Sequence, residues 1–180
     1  MNSAGTARLF LALLPTPAQR QDLQAHVAAW RWPPKASVYA PADWHLTLHF
    51  LGAVPCSRLP ELRAGLAWPL SALQLQFGEP ALWPQGLAVL LPRAVVPALQ
   101  ALHEGLAGRL HALGLRTDPR PYRPHVTLAR RAAGAVPPAA PDWVWTVTGY
   151  ALMESSGRPE ARYRVLQRYR DGEFVGIGSA

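Results

Sequence analysis

The pattern of hydrophobic and polar positions predicts a β-strand followed by a helix at the start of the chain. Residues 7–14 are apolar at nearly every position, as in a buried strand. Thr16 and Pro17 follow, and these residue types cap and begin helices. Leucine, valine and tryptophan then recur at helical spacing, so we expect the helix to pack through one apolar face.

The same reading extends to the end of the chain. The element order is β-α-β-α-β-β followed by α-β-β-β, with few β-α-β crossovers, and this favours an α+β fold with antiparallel sheets. Beyond the first helix we predict a second helix from Ser57 and a third over 95–113. We predict strands at 44–51, 72–78 and 86–92, within 120–131, and at 143–154 and 160–170, the last two joined by the turn SSGRPE.

The strand at 44–51, which Gly52 closes, carries unusual polar side chains. Strict alternation puts His45, Thr47 and His49 on one face and Phe50 on the other. An ordinary half-buried strand would place solvated residues such as lysine or serine on its polar face. Imidazoles beside a hydroxyl indicate chemistry.

A second strand repeats this pattern. His125, Thr127 and Leu128 match the spacing of the first His-x-Thr-Leu, and two such motifs arise by chance in fewer than about one composition in a thousand. Residues two apart on a strand are separated by ~7 Å and point the same way. Two such strands side by side could surround one phosphate with a general acid, a general base and two hydroxyl donors.

Composition and charge are consistent with a phosphate-bearing ligand. The chain has 180 residues, 49% hydrophobic and 16% charged, which fits one folded domain or two closely packed lobes. Its net charge is +7 with a sequence pI near 10.5, which favours an anionic partner. Lys35 is the only lysine, so the basicity comes from arginine, whose planar fork suits phosphate.

Several classes of protein are excluded or disfavoured. Cys56 is the single cysteine, so no intramolecular disulfide or cysteine metal cluster can form. The first residues lack the basic region of a signal peptide, and no stretch reaches the ~18 apolar residues of a membrane span. We therefore expect a soluble, cytoplasmic protein.

The paired motifs resemble those of the 2H phosphoesterase superfamily. With RLFLALLP near the start and ARYRVLQRY near the end, the chain more narrowly resembles the bacterial RNA 2′,3′-cyclic phosphodiesterases once named 2′-5′ RNA ligases. The resemblance implies one domain over 1–180. It would be α+β and bilobal, with two antiparallel sheets, flanking helices and pseudo-twofold symmetry around a central cleft. One motif would come from each half, with no cofactor and no metal.

The resemblance also implies a role for each motif residue. His45 would be the general acid and His125 the general base, while Thr47 and Thr127 would hold the non-bridging oxygens. The substrates would be RNA ends or nucleotides bearing a 2′,3′-cyclic phosphate, opened to a 2′-phosphate. A monomer is expected.

Three further residues are candidates for substrate binding. Tyr122 and Tyr163 could line the nucleotide pocket, since aromatic rings stack on bases, although solvated strand-face residues are the equal alternative. Arg130 shares a face with Leu128 under strict alternation, so it needs a bulge or a strand end to reach the phosphate. For His49 we expect a structural role or a place at the rim.

Three other functions remain open. His45-x3-His49 would match a zinc pair if the segment were helical, but it alternates and lacks the glutamate of a metalloprotease. An RNA-binding module without chemistry would share the charge and the aromatic residues. Ligation through a 2′-5′ bond is the reverse of the same reaction, and hydrolysis should dominate in water.

Overall fold

The computed structural model describes residues 5–158 and 162–170, within which the chain forms nine strands and three α-helices. The helices are α1 (Pro17–Ala28), α2 (Leu59–Gly65) and α3 (Pro97–Ala112). The strands are β1 (Thr6–Leu13), β2 (Ser37–Val38), β3 (Leu46–Pro55), β4 (Leu73–Trp83), β5 (Leu87–Pro92), β6 (Val126–Arg130), β7 (Trp143–Val147), β8 (Gly149–Ser155) and β9 (Tyr163–Arg170). None of the helices in these ranges is long and apolar enough to cross a membrane.

The strands form an antiparallel sheet in the order β7-β4-β5-β6-β3-β1-β8-β9, with β2 also paired to β6. This confirms the α+β class with antiparallel strands. Where two sheets were expected, hydrogen bonding joins them: β3 and β6 meet through one residue pair, Leu46 with Val126. We call β3, β1, β8 and β9 the first half-sheet, and β6, β5, β4 and β7 the second half-sheet.

Helices α1 and α3 each contact the half-sheet that does not contain the strand preceding them. Helix α1 follows β1 of the first half-sheet, but its Gln19 donates a hydrogen bond to the Thr146 carbonyl of β7, at 3.1 Å. Helix α3 follows β5 of the second half-sheet, but its His103 stacks on His49 of β3 with ring centroids 4.0 Å apart. Each half-sheet is therefore covered by a helix that follows a strand of the other.

The start of α1 confirms its prediction from sequence. Thr16 is the N-cap, Pro17 is the first helical residue, and Gln19 completes a reciprocal capping box with Thr16. The predicted cap at Ser57 is wrong, because a 3₁₀ turn at Cys56–Arg58 precedes α2 and no side chain caps that helix.

The predicted strand 143–154 is two strands that break at Thr148. β7 pairs with β4 in the second half-sheet, whereas β8 pairs with β1 and β9 in the first. Both pieces read as strand in sequence, and only the long-range pairing separates them. Residues 159–161, which include the end of the predicted SSGRPE turn and the start of the predicted strand 160–170, lie outside the described residues.

Candidate active site

A β-bulge in β3 decides which side chains of the first motif share a face. The register with β1 shifts between Thr47 and His49, so Leu48 is an extra residue on β3. Beyond it the alternation is reversed: His49 is buried, whereas Phe50 is 64% exposed and lies on the side of His45 and Thr47. The prediction that His49 shares a face with the other two motif residues is wrong for this reason.

Strand β6 has the same bulge at the matching position. Its register with β5 shifts between Thr127 and Ala129, so Leu128 is the extra residue. Both motif strands then show the same order of buried and accessible side chains. The bulge brings Arg130 to the same face as Thr127, which Arg130 needs in order to reach the phosphate. Arg130 on β6 and Phe50 on β3 occupy equivalent positions.

The two motifs meet at one cavity of about 640 Å³ at the junction of the half-sheets. His45 and Thr47 line it from the first half-sheet, and His125 and Thr127 from the second. Four of the other lining side chains are arginines, which makes the cavity strongly basic. The cavity is also lined by Arg8, Phe10, Tyr39, Phe50, Arg130, Arg158, Arg162 and Tyr163.

Both imidazoles are held in the same way. The Nδ1 of His45 lies 2.7 Å from the carbonyl oxygen of Asp43, and the Nδ1 of His125 lies 2.7 Å from that of Arg123. A carbonyl oxygen can only accept, so in each ring Nδ1 carries the proton. The Nε2 of each ring is therefore available to accept a proton or, once protonated, to donate one.

Aromatic neighbours partly bury both imidazoles, and this burial lowers their pKa values. The ring of His45 packs against Phe10 and Tyr163 at 4.9 and 4.8 Å, and that of His125 against Trp83 at 4.4 Å. Burial lowers the pKa of His45 from 6.5 to about 4, against the effect of its Nδ1 hydrogen bond and with a smaller contribution from His125. Burial likewise lowers the pKa of His125. Both rings are thus neutral at pH 7 in the free protein.

Arg162 is a cavity residue that the sequence did not single out. Its Nε lies 3.4 Å from Oδ2 of Asp43, an ion pair without hydrogen-bond geometry, and its guanidinium lies 4.5 Å from the centroid of the Tyr39 ring. The guanidinium of Arg130 lies over the same ring at 5.9 Å. The Tyr39 hydroxyl is buried and has no hydrogen-bond partner among the described residues. One tyrosine thus positions two cavity arginines.

The two candidate tyrosines are in different places. Tyr163 lines the cavity beside His45. Tyr122 does not: its ring stacks on His103 at 3.9 Å, and its hydroxyl donates to the Thr47 carbonyl at 3.4 Å. Tyr122 therefore supports β3 from the side that faces α3 and is not among the residues that line this cavity, and its role in nucleotide binding stays a prediction.

The geometry of β3 also argues against the alternative of a zinc pair. The Nε2 of His49 lies 2.8 Å from the His103 carbonyl oxygen, on the face opposite to His45. The two imidazoles therefore cannot bind one ion, and His49 has a structural role. In the described part of the chain no group of three or more histidine, cysteine, aspartate or glutamate side chains is placed to hold a metal.

Comparison with known proteins agrees with this geometry. Residues 17–159 match the model of the 2′-5′ RNA ligase superfamily. The chain is 34% identical over 170 residues to the RNA 2′,3′-cyclic phosphodiesterase of Escherichia coli K12, covering 90% of this chain and 95% of that protein. It is also 34% identical over 151 residues to the enzyme of the same name from Thermus thermophilus, covering 72% of each.

Solved structures show the same fold. Escherichia coli LigT in complex with 3′-AMP superposes with a TM-score of 0.82 at 28% identity, covering 93% of this chain and 99% of that one. A Thermus thermophilus protein superposes with a TM-score of 0.77 at 28% identity, covering 91% and 97%. Sequence, structure and paired motifs agree, and the chain belongs to the 2′-5′ RNA ligase superfamily.

Proposed function

We propose that this protein is an RNA 2′,3′-cyclic phosphodiesterase that opens the cyclic phosphate of RNA ends or nucleotides to a 2′-phosphomonoester. One observation carries the proposal: two imidazoles, each held at Nδ1 by a backbone carbonyl, line a single arginine-rich cavity. The names of the two curated relatives support the same reaction. The proposed chemistry uses protein groups alone and no metal.

In the proposed mechanism the two histidines act on opposite sides of the phosphorus. Nε2 of His125 removes a proton from water, whose oxygen attacks the phosphorus in line with the 3′ oxygen. As that P–O bond breaks, Nε2–H of His45 protonates the departing oxygen. Thr47 and Thr127 donate hydrogen bonds to the non-bridging oxygens. His125 gains one proton and His45 loses one, so the transfer of one proton from His125 to His45 restores the starting state.

Binding of the substrate should raise the pKa of the imidazole that acts as the general acid, so that it carries a second proton. Both imidazoles have lowered pKa values in the free protein, so neither holds a second proton at pH 7. A cyclic phosphodiester is an anion, and an opposite charge at hydrogen-bond distance raises the pKa of an imidazole. Arg130 and Arg162 attract the same anion, and the two arginines are held over Tyr39 before it arrives.

The aromatic side of the cavity provides a surface for the base. Phe10, Phe50 and Tyr163 form a connected cluster, with ring centroids of Phe10 6.2 Å from Phe50 and 5.3 Å from Tyr163. Of the three, Phe50 is the most exposed. Stacking on such rings is sequence-tolerant, so the site should accept more than one base.

The deciding experiment is turnover of 2′,3′-cyclic AMP in EDTA, with the product identified by chromatography. His45→Ala and His125→Ala should each reduce kcat by about 10²- to 10⁴-fold, and the double variant should be little worse because both act on one transition state. Thr47→Ala or Thr127→Ala should lose less, since a hydrogen bond to a charged oxygen contributes roughly 1.5–3 kcal/mol. His111→Ala, an exposed histidine of α3, is the matched control and should keep full activity.

The acid and base roles are separated by the leaving group. A substrate whose leaving group needs no proton should restore turnover to His45→Ala and leave His125→Ala inactive. Restoration of His125→Ala alone would reverse the roles. Tight RNA binding with no turnover by the unmodified protein would favour a binding module, and joining of RNA ends in excess of hydrolysis would favour the ligase.

A further inference from the structure

A second basic cavity lies at the far end of the first half-sheet. It has a volume of about 700 Å³ and is formed by the loop before α1, the junction between β7 and β8, and the end of β9. Three arginines line it, Arg20, Arg168 and Arg170, with the hydroxyl-bearing Thr146 and Thr148. No acidic side chain is among its described lining residues. We call it the Arg168 cavity.

The positive charge in the Arg168 cavity is largely uncompensated. Arg168 and Arg170 are exposed and form no ion pair with any carboxylate of the described residues. Arg20 donates a hydrogen bond to the Pro41 carbonyl. Burial and the nearby charge of Arg168 lower the pKa of Arg20, against a smaller opposing effect of Asp43, so the uncompensated charge of the cavity is that of Arg168 and Arg170. Arginines that repel one another at the wall of a cavity are stabilised by a bound anion, and the planar guanidinium is suited to phosphate.

The repeat within the fold provides an internal comparison. Pro17 begins α1 and Pro97 begins α3, with the same sequence spacing as the two motif histidines. At the position equivalent to Arg20, α3 has Gln100, which donates to Glu104 at 2.6 Å. Helix α3 forms without an arginine at this position, so the arginine of α1 that lines the basic cavity is not needed for helix formation.

Arg168 of the second cavity and Tyr163 of the first lie on the same face of the first half-sheet. In the β8–β9 pairing, Ser155 is opposite Tyr163 and Ala151 is opposite Arg168. A register shift at Leu166 keeps these pairs on one face, since Ser155 and Ala151 are an even number of residues apart on β8. Tyr163 lines the first cavity, and Arg168 lies four residue pairs further along the β8–β9 ladder, roughly 13 Å away.

We propose that the Arg168 cavity binds a backbone phosphate of the RNA strand whose cyclic-phosphate end occupies the catalytic cavity. The strand would cross the Pro41–Asp43 turn, which lies between the cavities and is held by Arg20 on one side and Arg162 on the other. At ~3.4 Å per nucleotide of a stacked strand, the separation corresponds to about four nucleotides. The inference rests on the proposed function and makes an RNA chain, rather than a mononucleotide, the preferred substrate.

The test compares two substrates in the variant Arg168→Gln/Arg170→Gln. An RNA of about ten nucleotides with a 2′,3′-cyclic phosphate end spans both cavities, whereas 2′,3′-cyclic AMP reaches only the first. We expect kcat/KM for the RNA to fall about tenfold, and the salt dependence of RNA binding to weaken by about one unit of slope per lost phosphate contact. Turnover of 2′,3′-cyclic AMP should stay within about twofold. Arg63→Gln/Arg116→Gln removes the same charge from exposed positions outside both cavities and is the control.

Each outcome bears on the proposal. An RNA effect no larger than that of the control variant, or an equal loss for both substrates, overturns it. If added AMP changes 2′,3′-cyclic AMP turnover only when Arg168 and Arg170 are present, the cavity binds a free nucleotide, and the RNA path is wrong. Binding of an RNA with a 2′-phosphate end, measured by fluorescence anisotropy, needs no turnover. It therefore tests the cavity even if the proposed reaction fails.

Discussion

Replacing Arg162 by alanine should reduce kcat/KM for 2′,3′-cyclic AMP by about 10- to 150-fold. The side chain is one-third exposed and held on two sides, by Asp43 at 3.4 Å and by the Tyr39 ring at 4.5 Å, so its charge is positioned before the substrate binds. A hydrogen bond to a charged group contributes roughly 1.5–3 kcal/mol, and each 1.36 kcal/mol of transition-state stabilisation changes the rate tenfold. Arg162→Lys should recover little, because an ammonium cannot stack on Tyr39 and contact both carboxylate and phosphate.

Arg164 is the matched control for Arg162. It lies two residues after Arg162, within β9, and is also ion-paired, with Glu154 at 2.6 Å, but it does not line the cavity. Arg164→Ala should leave kcat/KM unchanged, since exposed ion pairs contribute little. Steady-state kinetics at fixed ionic strength measures both variants. A change below about twofold in Arg162→Ala, or an equal loss in both, would refute the reasoning.

Three further outcomes follow from the structure. Because both motif imidazoles have pKa values below 6.5 in the free protein, kcat/KM should peak below pH 6.5, and kcat, which reports the bound state, should peak at higher pH. In α3, Gly105→Ala should lower Tm because its Cβ would overlap the Trp68 ring, whereas Gly108→Ala meets nothing within 4 Å and should raise Tm by about 2–4 °C. Burial lowers the pKa values of His49 and His103, so the unfolded chain binds more protons and the free energy of unfolding should fall as pH decreases from 6.5 towards 4, less so in His103→Gln.

Local signals in the sequence predicted local structure well. Thr16 and Pro17 placed the start of α1, and alternation found the strands that carry both motifs. The matched His-x-Thr pairs predicted that their four side chains share one site, and all four line one cavity. These predictions succeeded because capping, alternation and spacing act over a few residues.

The remaining features depend on partners that are distant in the chain. The bulge at Leu48 arises in the pairing of β3 with β1, and it exchanged the faces predicted for His49 and Phe50. Arg162 becomes a cavity residue only because Asp43 and Tyr39 are folded against it. No pattern within the segment ARYR shows this, since a strand-face arginine reads the same with or without such partners.

The exchange of α1 and α3 between the half-sheets bears on how the molecule unfolds. The half-sheets share one hydrogen-bonded residue pair, Leu46 with Val126, directly after the two motif histidines. With so little pairing, the histidines could separate by a hinge motion if each half had its own helices. Since each half is instead covered by a helix that follows a strand of the other, opening the junction also exposes the main core, which contains residues of both half-sheets. Thermal unfolding should therefore be a single cooperative transition, in which the paired imidazoles lose their geometry only when the whole chain unfolds.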